Sequence, residues 1–250
     1  MKEKLTCAMD IGEHLLTSGA EIHRVEESVE RMCRAFGAKR VDVFIITSSM
    51  VVTVFDQNDH TYTQTRRITN TATDFEKIHR LNALSRKICA QEMCVEQIRA
   101  EIDQATASRC YPFWLEWLCY GIIAGAFTLF FGGSLADALI SLGVGLFVRL
   151  ACCLFELAIP NKIFAKFISA AIATALALVA VRIGWVDSID KIVIGNIMSL
   201  IPGIGLTNAL RDLFTGDSIA GLLRSIEAAL TALAIAAGYF LISVVGGMLL

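Results

Sequence analysis

The sequence predicts two parts of unlike class: an α+β cytoplasmic domain (helix, small antiparallel sheet, helices) over residues 1–113, then an all-α transmembrane domain of about five helices over residues 114–250. Three observations carry this. The chain is 55% hydrophobic and 18% charged with a mean hydropathy of +0.61, values that fit membrane embedding rather than a soluble globule. The charge is unevenly placed, with 15 Lys/Arg and 16 Asp/Glu before residue 114 against 7 and 8 after it. Finally, the C-terminal part divides into five apolar stretches near or above the roughly 18 to 20 residues that cross a bilayer as helix.

Within the first part, Met9, Gly12, Leu15, Leu16, Val25, Val29, Met32 and Phe36 recur at helical spacing between charged residues, and Gly19 is expected to bend or split that helix. Residues 41–55 are β-branched and aromatic, Asp56 to His60 reads as a turn, and TYTQTRRI alternates. Two or three antiparallel strands are therefore expected. Helical periodicity returns after Asp74 and breaks near Ser108, before Pro112.

The apolar stretches are Trp114 to Phe131, Leu135 to Phe155, Phe164 to Val181, Ile189 to Leu206 and Ile219 to Val245. Trp114, Trp117 and Trp185 suit interfacial positions. With the N-terminus inside, Arg109, Arg149, Lys162, Lys166 and Arg211 fall near cytoplasmic ends, against Arg182 and Lys191 outside, so the expected sense is N-in, C-out. Acids within MKEKLTCAMDIGEHLL argue against a cleaved signal peptide, which places the first part in the cytoplasm and the chain in the plasma (inner) membrane.

Several functions are disfavoured. A net charge of −2 without a Lys/Arg-rich run argues against nucleic acid, and three prolines argue against a disordered linker. The four histidines form no HExxH, and neither a GxSxG elbow nor a GxxxxGK[ST] loop is present, so no catalytic residue, cofactor or metal ligand is assigned. The eight cysteines are read as free and mostly buried thiols, with Cys89 and Cys94 on one helix face, and Cys110 is among those without metal-type spacing.

Two stretches stand out. In the first, Gly19, Ala20, Glu21, Arg24, Val25 and Glu26 crowd together, and Glu21 and Arg24 are spaced for an exposed helical ion pair. In the second, residues 195–227, Pro202 removes a backbone donor while Gly203 and Gly205 tolerate unwound dihedrals, so a break with Pro202–Gly205 non-helical is expected. Broken helices in membranes expose polar backbone groups that serve a polar solute or are buried in protein, and Asn196, Thr207, Asn208, Arg211 and Asp212 lie around this one. A kinked packing helix with a polar cap is the alternative. Arg224 and Glu227 sit three apart in the last stretch, where an unpaired charge at the bilayer centre costs ~2.5 to 3.5 kcal/mol. They either pair together, engage Asp212, or snorkel at the interface. Gly121, Gly125, Gly221 and Ser225 offer close-approach helix surfaces, which oligomerisation can use.

GAEIHRVEESVERMCRAFGA before a small β segment, and later IPGIGLTNALRDLFTGDSIAGLLRSIEA, resemble the threonine/serine exporter family over nearly the whole chain. The resemblance is to the N-terminal-type subunit, a cytoplasmic domain followed by about five spans, which in split systems works with a second, smaller membrane subunit. It implies a non-enzymatic secondary exporter of threonine or serine, with dicarboxylates such as succinate as the variant. By resemblance Glu21, Arg24 and Glu26 are candidates in the first motif, and Pro202, Gly203, Thr207, Asn208, Asp212, Gly221 and Arg224 in the second. Adding the residues singled out for their chemistry, the substrate-binding set is Asn196, Pro202, Gly203, Thr207, Asn208, Asp212, Arg224 and Glu227, and the partners are a small-molecule substrate, membrane lipid, and a second subunit or further copies of the chain. A membrane-anchored enzyme and a non-transporting scaffold are the readings from other classes.

Overall fold

The computed structural model describes residues 1–107, 111–158, 161–186 and 188–248; Ser108, Arg109 and Cys110 lie outside them. The chain forms two compact units that interleave in sequence. One comprises the N-terminal segment together with Thr207–Ser225, and the other comprises the intervening segment to Leu206 and resumes at Ile226.

The first unit opens with α1 (Lys2–Thr17) and α2 (Ile22–Ala35), which Gly19 separates at φ +87°. A methyl group on Gly19 would lie 2.8 Å from the Ala72 carbonyl oxygen, so the turn needs both the dihedral freedom and the missing side chain. The strands β1 (Arg40–Ile46), β2 (Ser49–Phe55) and β3 (Thr61–Arg67) form an antiparallel sheet in the order β1-β2-β3. The β2–β3 turn is an Asx type, in which the Asp56 carboxylate accepts the Asn58 and His60 N–H groups at 2.8 and 2.9 Å. Met50, Val52 and Val54, alternate residues of β2, are fully buried with Leu5, Met9, Ile11 and Leu15 of α1 and Val25, Val29 and Met32 of α2. Burial of each such side chain contributes about 1.5–3 kcal/mol, which makes this core the main stabilising term of the unit.

Helices α3 (Phe75–Ala90) and α4 (Val95–Thr106) complete the N-terminal segment. Asp74 caps α3 by accepting the Lys77 N–H. The helical run thus breaks at residues 91–94, earlier than its periodicity indicated. That placement also corrects the expectation for Cys89 and Cys94: Cys89 belongs to α3 and Cys94 caps α4, so they share no helix face. The seven described cysteines are all free.

The second unit contains α5 (Phe113–Phe130), α6 (Leu135–Ala158), α7 (Lys162–Arg182) and α8 (Ile189–Met198). After α9 (Gly203–Thr215), helix α10 (Ser218–Met248) starts in the first unit and ends in the second. Among the described residues four helices, α5, α6, α7 and α10, are long and apolar enough to cross a membrane, five spans resulting if the bent pair α8 and α9 counts as one. The stretch Ile189 to Leu206 is therefore not one continuous helix: ten residues of α8 rise only about 15 Å against a hydrocarbon core of about 30 Å.

The small residues work inside the chain. A methyl on Gly121 would meet the Leu146 side chain at 2.8 Å, one on Gly125 the Ala138 carbonyl at 3.0 Å, and one on Gly221 the Leu213 N at 2.8 Å. Ser225 donates to the Gly221 carbonyl within α10. The close approaches at the three glycines are thus already occupied by neighbouring helices of the same chain, contrary to the expectation that they offer surfaces to another.

Gly19→Ala and Gly37→Ala separate steric from dihedral cost. Both glycines have positive φ, but only Gly19 has a backbone oxygen in the way of a methyl group. Gly37→Ala should cost about 1 kcal/mol and Gly19→Ala about 2–3 kcal/mol, read as a larger fall in Tm for the Gly19 variant of the purified protein.

Candidate functional site

The two sequence stretches singled out above meet within the first unit. The turn carrying Gly19 and Ala20 presents its carbonyls at the start of α2, and Glu21 is the residue immediately before that helix. Helix α9 supplies Asn208, Arg211 and Asp212. Gly216, at φ +103°, then reverses the chain into α10, which supplies Arg224. Gly221 lets α10 approach α9 closely, and Ala220 enters the apolar core of the unit.

Polar contacts join the two stretches. Arg224 Nη1 donates to Asp212 Oδ2 at 2.9 Å and its Nη2 to the Ala20 carbonyl at 3.3 Å. Asn208 Nδ2 donates to the Gly19 carbonyl at 3.3 Å, and Arg211 pairs with Glu21. The first pair is the deepest, with side-chain exposures of 15% for Arg224 and 1% for Asp212. Asp212 Oδ1 is buried without a hydrogen-bond partner, so the carboxylate retains an acceptor. Arg211 and Glu21 are far more accessible, and such a pair contributes about 0–1 kcal/mol.

These contacts correct one expectation and decide another. Glu21 does not pair with Arg24, because it precedes α2 in extended geometry and reaches Arg211 instead. Of the alternatives open to Arg224, the packing of α9 against α10 selects Asp212, while Glu227 is exposed and forms no ion pair among the described residues. The helix break also lies earlier than expected. Residues 199–202 are non-helical, whereas Gly203 and Gly205 begin α9. Pro202 stands just before the first helical residue, where its missing N–H costs no helical hydrogen bond. Thr207 is exposed on α9.

Glu26 has a separate role. Its Oε1 accepts the Ile45 N–H of β1 at 2.9 Å, which satisfies an amide on the free edge of the sheet. Burial pushes its carboxyl above the usual carboxylate range, and the charge of Asp217 adds to that rise. Ligand atoms of His23, Glu26 and Asp217 lie within 4.8 Å of one another, close enough to hold a cation. Spacing along the chain could not reveal this group, since Asp217 is far in sequence from the other two.

Asn196 belongs to a different polar cluster, in the second unit. It is 1% exposed, and its amide donates to Ser141 Oγ and the Ile192 carbonyl, both at 2.9 Å. Ser141 accepts from Thr128 Oγ1 at 2.7 Å and donates to the Ala124 carbonyl, and both hydroxyl residues are fully buried. Asn196 Oδ1 has no partner. Neighbouring Gly195 permits the approach of α8 to α5, for a methyl there would fall 2.2 Å from Thr128 Oγ1. Spacing along the chain does not single out Thr128 and Ser141, because isolated polar residues in apolar runs look like tolerated exceptions until packing brings them together; the buried Asp137 instead accepts the Ser134 N–H at the start of α6.

Comparison with known proteins decides the family. The model described as "Putative threonine/serine exporter" matches residues 6–245. The chain belongs to the threonine/serine exporter family. It is 25% identical over 226 residues to the "Probable threonine/serine exporter" of Mycobacterium tuberculosis and 24% identical over 244 residues to the "Threonine/serine exporter" of Corynebacterium glutamicum. These alignments cover 89% and 94% of this chain but 42% and 49% of those proteins, so the chain spans under half their length. It is also 24% identical over 251 residues to the "Probable succinate transporter subunit YjjP" of Klebsiella aerogenes, covering 98% of this chain and 93% of that one. No solved structure matches.

Removing one member of the Asp212–Arg224 pair leaves a buried charge uncompensated, so Asp212→Asn and Arg224→Gln should each destabilise the first unit by about 3 kcal/mol. The double variant should lose less than the sum, because neither charge remains. Glu227→Gln should change stability by under about 0.5 kcal/mol. Denaturant unfolding of the four purified proteins, followed by a probe in the first unit, measures all of these.

Proposed function

We propose that the chain is a secondary exporter subunit for a small polar metabolite, threonine or serine, with the N-terminal unit cytoplasmic and the C-terminus outside. The observation that supports this best is the buried Asn196–Ser141–Thr128 cluster among helices long or apolar enough for a membrane, together with family membership. Polar side chains are costly there unless they serve a solute or one another. An amide with an unpartnered Oδ1 beside two hydroxyls matches the hydroxyl and ammonium of threonine or serine, since Oδ1 accepts what either group donates.

In this reading Asn196 contacts substrate, and the break before Pro202 and Gly203 ends α8 close to it in sequence. Thr207, Asn208, Asp212 and Arg224 form the junction of the two motifs, which opens and closes during transport, and Glu227 lies at its edge. With no P-loop in the sequence, an ion gradient drives the cycle. In this reading a second membrane subunit or a further copy of the chain completes the assembly, which the word "subunit" in the name of the Klebsiella aerogenes relative supports.

Dicarboxylate export is the second reading. The specific observation in its favour is the alignment with the relative named as a succinate transporter subunit, which takes in 98% of this chain and 93% of that one.

Proteoliposome efflux of threonine, serine and succinate, measured with and without the partner subunit, distinguishes these. Threonine or serine efflux is expected only with the partner. The variant Asn196→Ala should reduce it at least about tenfold while lowering stability by only about 1 kcal/mol, the net worth of a typical buried hydrogen bond. Unchanged efflux in that variant would remove Asn196 from the substrate path, and succinate efflux alone would select the second reading.

A further inference from the structure

Helices α2 and α3 border a cleft of about 360 Å³ that the transport reading does not use. Arg24, Glu27, Ser28 and Arg31 line it from α2, at one helical face, and Asn82, Ser85, Arg86 and Cys89 from α3, at the same spacing. Three guanidinium groups face one carboxylate, so the walls carry a net charge of +2. Glu27 is committed to Arg31. Among the described residues Arg24 and Arg86 form no ion pair, and the Asn82 side-chain amide has no hydrogen-bond partner. Ser28 donates to the Arg24 carbonyl and Ser85 to the Asn82 carbonyl, which uses the one proton of each hydroxyl and leaves the guanidinium and amide groups as the donors of the cleft.

We propose that this cleft binds a small metabolite dianion, whose two charges are neutralised by Arg24 and Arg86 and whose oxygens accept from the Asn82 amide. Guanidinium groups are suited to this because their planar donor pairs match the oxygens of a carboxylate or phosphate. Two arginines on opposite walls repel each other across the cleft, and a dianion between them converts that repulsion into attraction. The volume falls within the range of small-molecule sites. Occupancy would tie α2, which begins at the motif junction, to α3, so that metabolite concentration bears on the junction. This site is separate from the Asn196 cluster, and its existence does not depend on what the chain transports.

Cys89 lines the cleft and provides the readout, with exposed Cys94, which caps α4, as an internal control. The full-length protein in detergent is treated with a maleimide, and the alkylation rates at Cys89 and Cys94 are followed by peptide mass spectrometry. Succinate and inorganic phosphate are each compared with acetate and sodium chloride at equal ionic strength, which controls for screening. A dianion near ten times its Kd should slow Cys89 about tenfold and leave Cys94 unchanged, following the factor 1 + [L]/Kd. Protection by succinate alone identifies a dicarboxylate, and protection by phosphate alone identifies a phosphorylated metabolite. Arg86→Glu should abolish protection. Arg86 is exposed, so the fold should persist, and an unchanged Cys94 rate verifies it. Equal protection by acetate, undiminished protection in Arg86→Glu, or no protection by either dianion would overturn the proposal.

Discussion

The ion pair between Arg224 and Asp212, with the second arginine nitrogen on the Ala20 carbonyl, is the constraint on which the arrangement of the first unit depends. A nearly buried guanidinium and a fully buried carboxylate are costly to desolvate, and their separation would leave each without compensation. Their pairing therefore fixes α9 against the start of α10, and the Ala20 contact fixes both against the turn before α2. Gly19 and Gly221 are prerequisites, because a side chain at either would keep the backbones apart. The consequence is a unit that recruits Thr207–Ser225 into an N-terminal fold from far along the chain.

How much of this was legible in the sequence varies with the range of the interaction involved. Local signals read well: Gly19 divides the first helical run, Asp56 to His60 turns the second strand into the third, and Pro202 stands at a helix break. Long-range partners read less well. Glu21 and Arg24 have the spacing of a helical pair, yet Glu21 finds Arg211 on α9, and packing alone selects Asp212 over Glu227 for Arg224. Spacing along one helix indicates which side chains can meet, and only packing determines which partner is closer or better buried. The glycines show the same limit. GxxxG marks a close approach without saying whether the approaching helix belongs to the same chain.

In the second unit the charged residues are fewer, and a group of buried polar side chains is tied together by hydrogen bonds. Thr128 and Ser141 hydrogen-bond to each other and to the Ala124 carbonyl, and the Asn196 amide joins them. Such a network confers a defined register on α5, α6 and α8, because sliding any one of them would strand buried donors. The unpartnered Asn196 Oδ1 gives the cluster chemical capacity for a solute, and the buried Asp137 Oδ1 of the same unit has no hydrogen-bond partner either. In the proposed transport reading the cluster meets the solute, and the junction in the first unit is the element whose charged contacts are made and broken.

The central claim is that α9 is energetically part of the first unit. Hydrogen exchange of the full-length protein in micelles, followed through a denaturant series, tests it most directly. The account predicts that amides of Ala209 to Leu213 lose protection together with those of α1 and α2, at denaturant concentrations where α5 to α7 remain protected. Protection of Ala209 to Leu213 that persists after α1 and α2 have exchanged, and is lost only with α5 to α7, would contradict it.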